Sequence, residues 1–264
     1  MTEELVIRED RGAVTHLTLN LPGKLNALSD GMIAALTATF GDLMVSETQR
    51  VIVLKGAGKA FCAGHDLKEM QAKRAARDTG ASALRDLFDR CARMMQMIPR
   101  LPQPVIAQTH GIATAAGCQL VASCDMAVAA EDCRFGVNGV NIGLFCSTPM
   151  VALSRNVPRK QVFEMLVTGE FIDAARAREI GLVNRVVPHD ALEAETAALA
   201  DHIAGKLGAA VRIGKRAFYE QLQLPLDKAY EMSGAVMVEN MLDIDTVEGI
   251  AAFLDKRKPD WSQH

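Results

Sequence analysis

The chain has 264 residues, 49% of them hydrophobic, and a formal net charge of −3, so it can bury a sizeable core but lacks the positive charge that general nucleic-acid binding requires. Its six cysteines (Cys62, Cys91, Cys118, Cys124, Cys133, Cys146) form no C-x-x-C pair and have no histidine at zinc spacing, which predicts reduced, mostly buried thiols and no metal site. The N-terminal MTEELVIRED has neither an apolar signal core nor an Arg-rich presequence, so a cytoplasmic protein is the default expectation.

In chain order, LVIRED and AVTHLTLN flank Asp10-Arg11-Gly12, which reads as a hairpin turn between alternating strands. Residues 30–44 then place Met32, Ile33, Leu36, Phe40 and Leu43 on one helical face, and Arg50 introduces the apolar strand VIVLKG. Strand, helix, strand is an α/β signature. Asp66 and Glu69 have the spacing of a capping box, so a helix is expected to begin there. From Lys68 to Arg85 the sequence is charged, alanine-rich and interrupted by Gly80, which predicts a mobile or locally helical lid. A strong apolar period over 84–98 predicts a helix ended by Pro99.

The stretch PVIAQTHGIATAAGCQLVASCD, residues 104–125, reads as a buried strand, a turn at Gly111 and a buried helix with Ala113, Ala116, Gly117, Leu120 and Val121 on one face. Its first turn carries only small side chains, leaving partly positive N–H groups open to a ligand. The uncharged tracts Leu101–Cys124 and Phe135–Ser154 have the length of membrane spans, but their prolines, glycines and amides favour buried core for both. Residues 125–130 read as a short strand, and 160–167 and 174–180 as helices, with Gly181 as C-cap. Past Pro188 the chain is helical to Leu254, with breaks near Gly208 and Pro225. That shift divides the chain into an α/β core, 1–190, and a helical oligomerisation region, 191–264.

Several motifs fail. Gly56-Ala57-Gly58-Lys59 has part of a phosphate loop, but Ala60 stands where a magnesium-binding Ser or Thr belongs, and no G-x-S-x-G or H-E-x-x-H occurs. Two helix starts survive, one after AFCAGHD and one at ATAAGCQ. With them, the runs PGKLNAL, KAFCAGHDLKEM, PVIAQTHGIATAAGCQLVASCDMAVAA and EGIAAFLDKRKP resemble, in order and spacing, the enoyl-CoA hydratase/isomerase (crotonase) superfamily over essentially the whole chain.

The resemblance implies a crotonase-like spiral of ββα units with an all-α C-terminal region that trimerises, often into a dimer of trimers. It implies an acyl-CoA thioester as substrate, with coenzyme A present only as part of it, and neither nucleic acid nor membrane as partner. Carried over by position, the backbone N–H groups of His65 and Ala116 would be oxyanion-hole donors. CoA would lie near Lys24, Leu25, Ala63, His65, Asp66 and Leu67, with Phe253 and Lys256 of a neighbouring subunit beside the adenine. A family hydratase uses two glutamates, and here Gln119 and Gly139 occupy their positions. Neither can exchange a proton, so crotonyl-CoA hydration is expected to be slow. That leaves an isomerase, hydrolase or decarboxylase that needs little side-chain proton transfer, or a pseudoenzyme that binds acyl-CoA. Each candidate also has a plainer reading: Gln119 as an amide closing a buried hydrogen-bond network, His65 as a wall residue valued for its N–H, Cys118 and Cys146 as inert core thiols, and His110 as a satisfied core histidine. The Lys256–Lys258 run reads ordinarily as a solvated helix end, and only its match to the family's CoA-binding ending lifts it above that.

Overall fold

The computed structural model of the protein describes residues 4–75 and 78–261. Strands β1 (Val6–Arg11) and β2 (Val14–Leu19) pair antiparallel with Arg11 opposite Val14. The hairpin therefore turns on Gly12 and Ala13, and Asp10 and Arg11, expected in the turn, complete the strand. Helix α1 (Asp30–Met44) buries the predicted face, Met32, Ile33, Leu36, Phe40 and Leu43, and the Ser29 hydroxyl caps it by accepting from the Met32 amide at 3.1 Å. Strand β3 (Val51–Gly56) follows.

Helix α2 (Leu67–Lys73) starts at Asp66, whose carboxylate accepts from the amides of Lys68 (3.0 Å) and Glu69 (3.3 Å). Only half of the expected capping box forms. The Glu69 carboxylate accepts instead from the Asp30 amide at 2.9 Å, docking α2 on the start of α1. Helix α3 (Ala81–Arg100) begins earlier than its apolar period suggests and runs through Pro99, because a proline one residue from the end forfeits only its own i−4 bond. Of the lid predicted over 68–85, residues 76 and 77 lie outside the described residues; α2, a turn and the first residues of α3 take the rest. Lys73 and Arg90 both pair with Asp30, Arg90 at 2.6 Å, fastening α2 and α3 to α1.

Next come β4 (Val105–Thr109), β5 (Ile112–Thr114), α4 (Ala116–Ser123), β6 (Met126–Ala130) and β7 (Arg134–Gly136). Ala113, predicted on the helical face, belongs to β5, where it pairs with Phe135 of β7. The helix cannot begin before Ala115, whose φ of 49° and ψ of −119° break the chain direction. A 3-10 turn over Asn138–Ile142 leads to α5 (Pro149–Asn156), α6 (Arg159–Thr168), β8 (Ile172–Asp173), α7 (Ala174–Glu179) and β9 (Arg185–Val187). Helices α8 (Leu192–Ala204), α9 (Gly208–Gln221), α10 (Leu226–Met241) and α11 (Ile244–Leu254) end the described fold.

A six-stranded sheet has the order β1-β2-β3-β4-β6-β9, parallel except for the β1–β2 hairpin, and a smaller sheet has the order β5-β7-β8. This arrangement agrees with the crotonase-like spiral that the resemblance implies. One face of the large sheet packs with α1, α3 and α4 through residues such as Leu54, Ala107, Leu36, Met94 and Leu120. On the other face, Leu192 and Ala200 of α8 cover Val51, Val53, Ile106 and Val128, so the first helix past 190 completes the sheet's own core. Helix α9 is anchored by Lys215, whose ammonium donates to the carbonyls of Ile98 (2.9 Å) and Gln103 (2.8 Å) and to the Asp125 carboxylate (2.7 Å). The Tyr219 hydroxyl donates to the other Asp125 oxygen at 2.7 Å. Beyond that anchor α10 and α11 leave Tyr230, Leu242, Val247 and Phe253 exposed.

The tract Leu101–Cys124 is core, as its composition predicts. Phe135–Ser154 is not: Ile142, Leu144, Phe145 and Val151 are exposed, since this segment forms the wall of a cleft rather than a layer between elements. Among the described residues no helix is long and apolar enough to cross a membrane.

Candidate active site

The two helix starts singled out by the sequence meet in the structure. Residues 62–65 run beside β5 and the beginning of α4: the Cys62 amide donates to the Ile112 carbonyl (3.1 Å) and the Thr114 amide to the Cys62 carbonyl (3.0 Å). No side chain fits between them. A Cβ on Gly64 would stand 3.0 Å from the Thr114 oxygen and 3.2 Å from the Ala116 nitrogen, and one on Gly117 only 2.1 Å from the Cys62 oxygen. Glycine is thus required by close backbone approach at both positions. Ala115, between β5 and α4, is held in its strained conformation by donating its amide to the Gly136 carbonyl at 2.9 Å. Among the described residues no protein oxygen accepts from the backbone N–H of His65 or of Ala116. Ala116 opens its helix, where an amide has no intrahelical acceptor, and both residues line the same cleft.

That cleft encloses about 610 Å³. The predicted CoA contacts Lys24, Leu25, Ala63, His65, Asp66 and Leu67 all line it, and so does Gly139. Asn26 fixes the floor under this group: its amide donates to the carbonyls of Ala57 (2.9 Å) and Ala60 (2.8 Å), while its oxygen accepts from the Leu21 amide (2.9 Å). Lys24 donates to the Asp66 carboxylate at 2.8 Å, and this bond, with the two helix-start amides, holds the Asp66 carboxyl below the ordinary aspartate range. Phe253 and Lys256 are exposed and lie outside the cleft of their own chain.

The far wall is neutral. Thr114 donates its hydroxyl to the Asn138 side-chain oxygen at 2.7 Å, and Leu144, Phe145, Cys146 and Thr148 continue the lining. Gln119 is buried one turn beyond Ala116, and its side-chain oxygen has no hydrogen-bond partner among the described residues, so the oxygen does not take part in the buried network that the plainer reading of this residue expects. His65 Nδ1 can only donate to the Leu28 carbonyl (3.4 Å), its Nε2 is buried with no partner among the described residues, and its ring meets Phe88 in a T-shaped contact at 5.6 Å. Burial lowers the imidazole pKa. All six cysteines are free and buried, and burial pushes the thiols of Cys62, Cys91, Cys118 and Cys133 up to about 12, which suits inert core thiols. His110 is satisfied, with its Nε2 2.8 Å from the Gly58 carbonyl.

Residues 9–264 match the family model described as enoyl-CoA hydratase/isomerase. This chain belongs to that family. It is 45% identical over 249 residues to human enoyl-CoA hydratase domain-containing protein 3, mitochondrial, covering 94% of this chain and 80% of that protein. The Xenopus laevis protein of the same name is 44% identical over 257 residues, covering 97% of this chain and 85% of the relative. Among solved structures, an enoyl-CoA hydratase from Mycobacterium smegmatis superposes with a TM-score of 0.94 at 54% identity, covering 98% of this chain and 99% of that one. The human domain-containing protein 3 gives a TM-score of 0.93 at 43% identity, covering 97% and 100%.

Membership explains why the two glycine-lined starts were readable in sequence, since both are continuous motifs. Phe88, Met70 and Thr114, which also line the cleft, carry no local signal. They come from α3, α2 and β5 and are brought together only around the cleft. Asn138 had one trace, an amide in an otherwise apolar tract.

Proposed function

We propose that this family member processes acyl-CoA thioesters, holding the thioester carbonyl oxygen between the backbone N–H groups of His65 and Ala116 so that charge developing as an enolate is stabilised. The observation that carries this reading is the pair of unaccepted amides in one cleft, brought together by Gly64 and Gly117. Fixed donors in a water-poor site lower such barriers by about 3–4 kcal/mol each. Lys24, Leu25, Ala63, Asp66 and Leu67 form the entrance where the CoA portion would lie; coenzyme A enters as part of the substrate. Phe253 and Lys256 would meet the adenine from a neighbouring copy in a trimer or dimer of trimers, a proposal supported by the exposed apolar faces of α10 and α11. On this reading the helical region 191–264 completes the core with α8 and oligomerises with the rest.

True hydratase activity is expected to be weak, because Gln119 and Gly139 supply neither base nor acid. Isomerase, hydrolase or decarboxylase action on acyl-CoA fits the same donors. A non-catalytic acyl-CoA-binding role is the second reading, favoured by the absence of a carboxylate at either position. A cytoplasmic location, the expectation from the sequence, stands against the mitochondrial names of the vertebrate relatives, and cell fractionation decides it. The test of the site is a crystal soak with a short and a long acyl-CoA. A thioester oxygen within hydrogen-bond distance of both amides supports the proposal, and a thioester bound elsewhere refutes it. Turnover of any thioester in a panel separates the enzyme from the binder.

A further inference from the structure

The cleft divides by charge. Its aspartate and lysine side chains, Lys24, Asp66 and Lys68, belong to the entrance segments, with Lys24 and Asp66 paired to each other and Lys68 exposed. The far wall, residues 138–149, carries no charged residue. One polar pair interrupts its apolar lining: the Thr114 hydroxyl lies 2.7 Å from Asn138 Oδ1, and both residues face the cleft. That hydroxyl has a single hydrogen to give. The Gly136 carbonyl, 3.2 Å from it, already accepts the Ala115 amide at 2.9 Å, so the shorter contact takes the hydrogen and fixes the Asn138 amide with Oδ1 toward Thr114. Nδ2 is left with two N–H donors and no acceptor among the described residues. It is not sealed off as Gln119 Oε1 and His65 Nε2 are, so an acceptor that enters the cleft can reach it. Asn141, the other amide of this wall, is already committed to the Gly169 carbonyl at 3.2 Å.

We propose, resting on the thioester reading above, that Asn138 is a specificity-determining residue whose side-chain amide donates to an oxygen on the acyl chain, and that the cleft favours 3-oxoacyl thioesters. Its position follows from the backbone. Thr114 lies two residues before the Ala116 donor, and the Gly136 carbonyl that receives the Ala115 amide lies two residues before Asn138, so the Asn138 amide stands beside the Ala116 end of the carbonyl site. A carbonyl on C3 is separated from the thioester carbonyl by one carbon, which suits two donor sites on adjoining segments. Neutral N–H donors on an uncharged wall favour a neutral oxygen, because a carboxylate there would lose its hydration with no free cation to answer it. A C3 carbonyl also fits the absence of carboxylates at 119 and 139: it acidifies the α-hydrogens and shares the enolate charge, so less is required of a side-chain base. Thr114 is a positioning residue, acting through Asn138 by holding its amide in one orientation.

The experiment compares the dissociation constants of butanoyl-CoA and 3-oxobutanoyl-CoA by calorimetry and reads their ratio, which cancels the CoA contacts the two share. Wild type should bind the 3-oxo compound about three- to tenfold more tightly, the size of one net neutral hydrogen bond. Asn138→Ala should bring the ratio to near one, and Asn138→Asp, which keeps the shape but removes the donors and adds a negative charge, should bring it below one. Thr114→Val should lower the ratio by freeing the amide, whereas Thr114→Ser, which retains the hydroxyl, should preserve it. Should a substitution at 138 abolish both affinities, the ratio in Thr114→Val against that in Thr114→Ser decides. A wild-type ratio near one, or a wild-type preference that survives in Asn138→Ala, overturns the proposal and leaves the thioester reading standing. Failure of the wild type to bind either thioester overturns both.

Discussion

Crotonyl-CoA hydration tests the consequence of the two missing carboxylates. From sequence alone, the Gln119→Glu, Gly139→Glu pair should restore a hydratase, each group contributing about 10²- to 10⁴-fold. The structure divides the two positions. Glutamate replaces glutamine at 119 with almost no change in shape. At 139 a Cβ would stand 2.3 Å from the Leu144 carbonyl oxygen and 2.9 Å from the Cys146 sulfur. Ordinary contact begins at 3.4 Å, so the Leu144 carbonyl must retreat by 3.4 − 2.3 = 1.1 Å. The obstacle is space rather than backbone angle, since Gly139 does not have a positive φ. Overpacking of this kind costs about 1–3 kcal/mol, and a displacement near 1 Å at a reacting group costs about 10²-fold in rate. Wild type should therefore hydrate far below about 10 s⁻¹. Gln119→Glu should raise the rate measurably, and adding Gly139→Glu should improve on it by no more than about 10²-fold, the rest of the second group's gain being lost to misplacement. The assay is loss of the conjugated enoyl absorbance, with folding checked by circular dichroism. A wild type at ordinary hydratase rates, or a double variant gaining the full product of two groups, refutes the reasoning.

Gly117→Ala forces a Cβ to within 2.1 Å of the Cys62 carbonyl oxygen, so a stability loss of at least about 1–3 kcal/mol and weaker acyl-CoA binding are expected, read by thermal melting and calorimetry. Lys215→Met strands the buried Asp125 carboxylate and should cost about 3–5 kcal/mol in denaturant titrations, part of it recovered by adding Asp125→Asn. Asp66 has a folded pKa below its ordinary 3.8, so its stabilisation is present above that pH and lost as pH falls through the folded value; the melting difference between wild type and Asp66→Asn should shrink on acidification. Light scattering at micromolar concentration should give a trimer or hexamer, and a monomer would contradict the role given to α10 and α11.

Much of the fold was legible because its signals are local. The Met32–Leu43 face of α1, the apolar β3, the Asp66 cap and the helical run past Pro188 with its breaks at Gly208 and Pro225 each follow from periodicity or capping within a few residues, whereas the break between α10 and α11 was not foreseen. The two small-residue starts at 64–67 and 115–117 were legible for the same reason, since only glycine and alanine permit backbone approach that close. Other features depended on which distant surfaces met. Glu69 serves Asp30 rather than its own helix start because α2 packs on α1, and Ala113 is strand rather than helix because β7 lies beside it. The apolar 142–151 tract is an exposed wall because no element among the described residues covers it, although its composition is that of a core. Sequence established that residues 119 and 139 bear no carboxylate, but only tertiary structure decided that 139 has no room for one and that His65 Nε2 lies buried with no partner among the described residues, because both depend on atoms contributed by other segments of the chain.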